Sequence, residues 1–404
     1  MTSKAVQPAT GAAANDEVLK GLLPTPFHAR LAPLCMNRQW SDWAGFLSAD
    51  VYDFVEQEYF AVRNAATLYD ISPMCKYRIA GPDAENVVNR LVTRDMRKVA
   101  VGRVAYSLWC DEAGMLIDDG TVFRLAEDEF YVMCQGRMLS WFQDAAWGYN
   151  VSISDESEAL CGLSLQGPTT FSLLSAAGLD AVADMRPFDL RQVEPGLWIS
   201  RSGYTGDLGY ELFVAPDEAL KLWDRLWEAG RNWGLVPIGS DALDLLRLEA
   251  GFIAPGHEFQ PVFETERRDR GRTPFELGFG RLVDFNKGHF NGRRALLALK
   301  DKPRYHLVKL DIEGKEPADG SYVYVGRGKQ VGHTTSAAWS PTTKRNIAIA
   351  ELKAPYGGKK QDGLWVEIDA IKEGKWMRYS AKATVVDTPF FINQRSRATP
   401  PGPF

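Results

Sequence analysis

Two stretches of the chain repeat one hydrophobic pattern. Lys76-Tyr77-Arg78-Ile79-Ala80 alternates in the manner of a strand and Gly81-Pro82 interrupts it. DAENVVNRL follows, with Val87, Val88 and Leu91 spaced as one apolar stripe of a helix. Leu163-Ser164-Leu165-Gln166, Gly167-Pro168 and TTFSLLSAAG repeat the order, with Leu173, Leu174 and Ala177 on the apolar side. The repetition predicts two related α+β modules. Between them, VAYSLWCDEAGMLIDDGTVFRLAEDEFYVMC alternates β-favouring runs with the turn clusters Asp111-Glu112-Ala113-Gly114 and Glu127-Asp128-Glu129, which predicts an antiparallel meander. WISRSGYTGDLGYELFV places a glycine-rich loop before a further strand. Asp217 then opens an amphipathic helix through Leu220, Trp223 and Trp227 that stops near Gly230. From about residue 303, short strands (HLVKLDI, YVYV, IAIAEL, LWVEIDA, SAKATVV) separated by Gly, Lys and Asp turns predict an all-β C-terminal domain.

Composition narrows the class. With 404 residues, 45% of them hydrophobic and 11% aromatic, the chain can bury substantial cores, and its length suggests roughly two to three folding units. Lys and Arg number 47 against 52 Asp and Glu, a net charge of −5, so there is no general electrostatic pull toward nucleic acid. No apolar run reaches membrane-spanning length, and MTSKAVQPATGAAANDE lacks the apolar centre of a signal peptide, so a soluble cytoplasmic protein is expected, with no membrane partner. Residues 1–24, rich in Ala and Thr, are expected to be a mobile tail. The five cysteines and five histidines are scattered without CxxC, HxH or HExxH spacing, so neither disulfides nor a metal site are expected.

Four positions carry candidate chemistry. Asp118 and Asp119 sit where Met115-Leu116-Ile117 gives way to Gly120, and strand alternation turns one carboxylate inward and the other outward. A carboxylate held in a pocket can accept a hydrogen bond from a ligand N–H or manage a proton; in a turn it only satisfies local backbone. Glu211 is a lone charge inside Tyr210-Glu211-Leu212-Phe213-Val214, which suits either a ligand contact or an exposed edge strand. Tyr204, in the glycine-rich loop, is placed to stack on a flat ring or to plug the core. Gly203, Gly206 and Gly209 do not form GxGxxG, so a dinucleotide fold is not supported.

A set of ordered motifs resembles the aminomethyltransferase family, the glycine-cleavage T-protein and its relatives. These are AVRNAATLYDIS (61–72), AYSLWCDEAGMLIDDGTV (105–122), LSLQGP (163–168), RSGYTGDLGYEL (201–212), LLRLEAG (245–251), FNGRRAL (290–296) and HTTSAAWSPTTKRNIAIA (333–350). The resemblance implies an α+β, T-protein-like folate-binding and catalytic domain of intertwined subdomains over residues 25–300. A C-terminal β-barrel with its tail would occupy 301–404. It also implies tetrahydrofolate in a central channel, the family's essential aspartate at Asp118, the pterin-contacting glutamate at Glu211, flanking tyrosines at Tyr106 and Tyr204, and a retained Arg247.

Departures from the family pattern shape the expected function. Leu243 stands where the T-protein has an arginine that helps hold the folate tail, and Ser72-Pro73-Met74 replaces Ser-His-Met. Cys134-Gln135-Gly136 replaces a polar stretch, and ETERRDRGRTP (264–274) is an insertion whose Arg267, Arg268, Arg270 and Arg272 face either a substrate carboxylate or solvent. GTVFRLAEDEFYV (120–132), PIGS (237–240) and PFELGFGRLVDF (274–285) resemble folate-dependent demethylases of small methylated compounds. The expected function is transfer of a methyl or methylene group from a small N- or O-methylated substrate to N5 of tetrahydrofolate. Trp40, Trp43 and Trp109 would then box a cationic donor or pack in the core. The alternatives are a true T-protein acting on a lipoyl carrier protein and a non-enzymatic iron-sulfur assembly factor, which His289, in place of that branch's cysteine, disfavours. A methyl-transfer partner of a separate flavin amine dehydrogenase is the remaining reading, so a redox or carrier protein is a further expected partner.

Overall fold

The structure, a computed structural model, describes residue 19 and residues 21–326, 328–358 and 361–402. Most of the tail expected over 1–24 therefore lies outside the described residues. Leu23 is already tied to the hairpin Gln39–Trp43/Phe46–Val51: its N–H donates to Gly45 and its carbonyl accepts from Leu47, both at 2.9 Å.

The two repeat units each contribute to one sheet. Cys75–Ala80 lies in a five-stranded antiparallel sheet ordered Arg103–Cys110, Leu116–Ala126, Glu129–Cys134, Cys75–Ala80, Ser152–Asp155. Cys161–Gln166 lies in a six-stranded sheet ordered Leu190–Glu194, Leu197–Ser200, Gly209–Val214, Cys161–Gln166, Thr67–Asp70, Val236–Pro237, whose last pair is parallel. Both strands end at a glycine with positive φ, +134° at Gly81 and +125° at Gly167. There the chain turns into the helices Ala84–Leu91 and Thr170–Ala176, which bury Val87, Val88, Leu173 and Leu174. The second glycine is also a close approach, since a Cβ there would stand 2.3 Å from the carbonyl oxygen of Ala65.

The chain visits the second sheet first, through Thr67–Asp70, leaves to build the whole first sheet, and returns at Cys161. The modules are thereby intertwined, as the resemblance implies. Between the sheets, Val104, Phe123 and Met133 from one meet Tyr69 and Phe213 from the other, with the Phe123 and Phe213 rings edge-on at 5.6 Å.

The C-terminal strands close into a six-stranded barrel ordered Tyr305–Ile312, Arg345–Lys353, Lys329–Ser340, Tyr322–Val325, Leu364–Lys372, Lys375–Val386. Lys329–Ser340 escapes the strand pattern in sequence because it is rich in Ser, Thr and Ala and carries an irregularity between Thr334 and Ser336. Among the described residues no helix is long and apolar enough to cross a membrane.

A buried ion cluster ties these parts together. Arg63, on the helix Val55–Asn64, donates to Glu249 at 2.6 Å, to Asp207 at 3.3 Å and to the carbonyl of Thr205 at 3.0 Å. Glu249, on the helix Ser240–Ala250, also accepts from Tyr59 at 2.5 Å and from Ser340 of the barrel. Asp207 accepts from Arg395 of the C-terminal segment at 2.6 Å, and Phe391 of that segment lies under the Arg63 guanidinium at 3.8 Å. Removing one member strands the opposite charges in the interior. We expect Arg63→Met to lower unfolding free energy by about 3–5 kcal/mol in urea titration. Arg378→Met, which breaks the exposed pair with Asp369, should leave the midpoint nearly unchanged.

Candidate functional site

The strand Leu116–Ala126 decides which acid faces which side. Its register places Asp119 opposite Leu108 and Asp118 opposite Trp109, and Ile117 bulges out where the pairing jumps to Cys110 with Leu116. Beyond the bulge, alternation sends Asp118, Gly120 and Val122 to one face and Asp119, Thr121 and Phe123 to the other.

The first face belongs to the core of Trp109, Cys134, Val132 and Phe142. Asp118 is 1% exposed there, and its two oxygens accept from the N–H groups of Asp119 at 2.8 Å and Gly136 at 2.9 Å. The departure noted at Cys134-Gln135-Gly136 thus supplies a backbone partner for this carboxylate.

The second face looks across to the other sheet. Asp119 is half-buried and its Oδ2 accepts the Tyr106 hydroxyl at 2.6 Å. The Tyr106 ring lies 5.8 Å from that of Phe279. Tyr204 is near enough for Tyr106 and Asp119 to act on its ionisation or be acted on by it. It stacks on Phe252 at 5.5 Å and donates its hydroxyl to the carbonyl of Ile253. From the opposite sheet comes Glu211, between Ser200 and Ser164 in register and two residues before Phe213, whose ring meets Phe123. Its carboxylate accepts from Ser202 at 2.7 Å and Ser200 at 3.4 Å.

The electrostatics follow from burial. Asp118 is raised to about 7, first by burial and then by the neighbouring Asp119. Burial raises Asp119 to about 6 against the opposing hydrogen bond from Tyr106. Burial likewise raises Glu211, opposed by Ser202 and Ser200. Tyr106 is pushed well above the usual phenol range, by burial and then by the Asp119 charge, so it remains a hydrogen-bond donor.

Sequence-selected residues fall into two groups. Tyr106, Tyr204 and Glu211 face the region between the sheets, but the acid beside them is Asp119, whereas Asp118 lies behind the strand. Arg247 is 1% exposed and every guanidinium nitrogen is engaged: by Asp244 at 2.7 Å, Glu258 at 2.7 Å, Ser336 at 2.8 Å and the carbonyl of Phe252 at 3.2 Å. Its contacts hold the barrel strand against the helix. Leu243 packs in the inter-sheet apolar cluster. The three tryptophans do not form a box: Trp109 is fully buried against Phe142, Trp40 packs on His28 and Trp43 stacks on Tyr69. In the insertion, Arg267, Arg268 and Arg270 are exposed, while Arg272 pairs with Glu351 of the barrel. Phe279, Phe252 and Ser202 were not singled out from sequence. Ser202 and Phe279 lie inside the motifs RSGYTGDLGYEL and PFELGFGRLVDF and Phe252 directly follows LLRLEAG, so membership of or proximity to a motif was the only available signal.

Two family models match the chain: the GCVT N-terminal domain over residues 25–287 and the glycine cleavage T-protein C-terminal barrel domain over residues 306–391. A protein named aminomethyltransferase from Symbiobacterium thermophilum is 34% identical over 362 residues, covering 86% of this chain and 92% of its own length. One named trimethylamine-oxide aldolase from Ruegeria pomeroyi is 33% identical over 92% of this chain but only 47% of its own length. The crystal structure of the glycine cleavage system aminomethyltransferase T from Bartonella henselae has the same fold. It superposes with a TM-score of 0.79 at 24% identity, covering 92% of this chain and 98% of that one.

Folding raises both acids of the pair above the ordinary carboxylate value of 3.8, so the folded chain keeps protons that the unfolded chain has released. Stability contributed by the pair is therefore present at low pH and lost as pH rises toward about 7. Asp118→Asn has no charge to bury, and its urea midpoint should fall less than the parent's between about pH 5 and about pH 7.5. Parallel profiles would assign that slope to other groups.

Proposed function

This chain belongs to the glycine-cleavage T-protein family, and from that premise we propose that it moves a one-carbon unit from a small N- or O-methylated substrate to N5 of tetrahydrofolate. The observation that carries the reading is the Tyr106–Asp119 pair, 2.6 Å apart on the inter-sheet face that also receives Glu211. In this reading residues 25–300 form the folate-binding and catalytic domain and 301–404 the barrel domain with its tail.

The residues present fit a pterin. Tyr106 with Phe279 and Tyr204 with Phe252 offer flat apolar faces, and the half-buried carboxylates Asp119 and Glu211 offer acceptors for ring N–H groups. When bound, tetrahydrofolate supplies the nitrogen that accepts the one-carbon unit. The protein supplies orientation and a proton-handling group. The Tyr106 hydroxyl fixes Oδ2 of Asp119 and leaves Oδ1 for the reacting groups. With its ionisation raised to about 6, Asp119 can exchange a proton near neutrality. Asp118, behind the strand, braces this acid: it accepts the Asp119 N–H at 2.8 Å, and the Asp119 charge keeps Asp118 protonated to higher pH. We therefore move the catalytic role that the resemblance carried to Asp118 onto Asp119. Arg247 is a positioning residue in this scheme.

Aminomethyl transfer from a lipoyl carrier protein is the second reading, favoured by relatives named aminomethyltransferase; the relative named for trimethylamine oxide favours a small methylated donor. The deciding experiment offers methylated amines, betaines, aryl ethers and an aminomethylated lipoyl carrier with tetrahydrofolate, and reads the folate product by mass. Turnover with a small donor supports the first reading and turnover only with the carrier supports the second. No turnover with any donor would overturn both and favour a non-enzymatic folate-binding role.

Asp119→Asn should lower single-turnover transfer by roughly 10² to 10⁴ with folate affinity largely kept, and Asp118→Asn should cost much less. Equal losses in the two variants would return the role to the pair as a unit. Glu211→Ala should weaken tetrahydrofolate binding by about 1.5–3 kcal/mol in calorimetric titration, the worth of a charge-assisted hydrogen bond, and unchanged affinity would remove it from the site.

A further inference from the structure

A second feature lies on the outer edge of the strand that carries Tyr106. The segment before the 3-10 turn Met96–Lys98 runs along the free edge of Arg103–Cys110: the Thr93 N–H donates to the carbonyl of Leu108 at 2.8 Å and the Arg94 N–H to Ser107 Oγ at 3.3 Å. The Arg94 side chain follows the edge and gives an N–H to the backbone carbonyl of Tyr106 at 3.3 Å. Tyr106 therefore meets Asp119 through its hydroxyl and Arg94 through its carbonyl. A second segment closes on the same place. Phe279 packs on the Tyr106 ring, Arg281 follows two residues later, and the Asp284 N–H donates to the carbonyl of Thr93 at 3.0 Å.

Two guanidinium groups thus share one edge of the candidate site, and Arg94 is held below its usual ionisation range by burial and then by Arg281. Among the described residues neither forms an ion pair. The nearby acids are taken: Asp95 by Arg97 at 3.0 Å and Asp284 by Lys98 at 2.5 Å. Holding the half-buried Arg94 beside a second positive charge is costly unless an anion joins them. Guanidinium forks match carboxylates in geometry, and a pair of them matches two carboxylates. Leu243, where the resemblance implies a cation for the folate tail, is packed among apolar side chains.

We infer that Arg94 and Arg281 form a subsite for the carboxylates of the cofactor's glutamate tail, on the outer edge of the strand that carries Tyr106. The inference rests on the folate reading above. Tyr106 then links the two ends of one binding site, with the reacting acid at its hydroxyl and the tail clamp at its backbone.

The test is equilibrium binding to the full chain, followed by calorimetry, of tetrahydrofolate, its triglutamate form and a tetrahydropterin without a tail. Arg281 is exposed, so Arg281→Glu reverses a charge without disturbing packing. It and Arg94→Gln should each weaken tetrahydrofolate roughly tenfold or more, and Arg94→Lys should recover part of the loss. The tail-less pterin should bind parent and variants alike. The triglutamate should lose most in Arg281→Glu, and the loss should shrink at high salt. Equal weakening of the tail-less pterin would show that the arginines only support the fold, and unchanged tetrahydrofolate affinity in both variants would place the tail elsewhere; either result overturns the subsite. A parent protein that binds the tail-less pterin but gains nothing from the tail overturns it too and leaves the folate reading standing, whereas binding of none of the three ligands sinks the folate reading and the subsite falls with it.

Discussion

The Arg63 guanidinium is the constraint on which the arrangement of parts depends. A single positive charge with 3% of its side chain exposed is tolerable only because Glu249 and Asp207, both fully buried, surround it. Each partner sits on a different piece of the chain. Glu249 fixes the helix Ser240–Ala250 and, through Ser340, the barrel. Asp207 and the Thr205 carbonyl fix the loop that carries Tyr204 and Ser202, and Arg395 pins the C-terminal segment to the same acid. The cluster is close to charge-neutral, two arginines against two acids, so no member can be withdrawn alone. An apolar contact of the same area would tolerate sliding. An ion cluster with directional hydrogen bonds sets one position, and the loop that carries Tyr204 and Ser202 is set with it.

The site itself depends on a smaller device, the bulge at Ile117. One extra residue in the strand sets which of two adjacent acids looks into the region between the sheets. The acid turned away is not idle. Asp118 occupies a spot where Gly120 and Gly136 leave no room for a side chain of their own, since a Cβ on Gly120 would fall 2.2 Å from the Met133 carbonyl oxygen and one on Gly136 would fall 3.0 Å from Asp118 itself. The Asp119 charge makes the ionisation of a carboxylate so enclosed more difficult, so Asp118 keeps its proton to higher pH than its neighbour does.

Arginine is used in three distinct ways around the candidate site. Arg63 is a structural centre, Arg247 ties a helix to the barrel with all its nitrogens engaged, and Arg94 and Arg281 keep their charge uncompensated by any described acid. Burial separates these cases. Where both partners are excluded from water the pairing is closed and directional; where one side remains open the charge stays available to a ligand.

By itself the sequence determined the local elements and the family pattern. The strand–Gly-Pro–helix repeats, the meander, the glycine-rich loop and five of the six barrel strands are written in nearest-neighbour preferences, alternation and turn chemistry, which act over a few residues. The same range identified Tyr204 and Glu211 as unusual for their settings, and Tyr106 came from the family pattern. Choosing between Asp118 and Asp119 was beyond it, because a bulge depends on pairing with the strand Arg103–Cys110. The use of Arg247 was equally hidden, since its partners Glu258 and Ser336 lie 11 and 89 residues away. The proximity of Arg94 and Arg281 was invisible too, because only the folded chain brings 93–94 and 279–284 to one strand edge. Local preference is a property of the chain, whereas the face a carboxylate presents and the partner a guanidinium finds are properties of packing, which the tertiary structure alone decides.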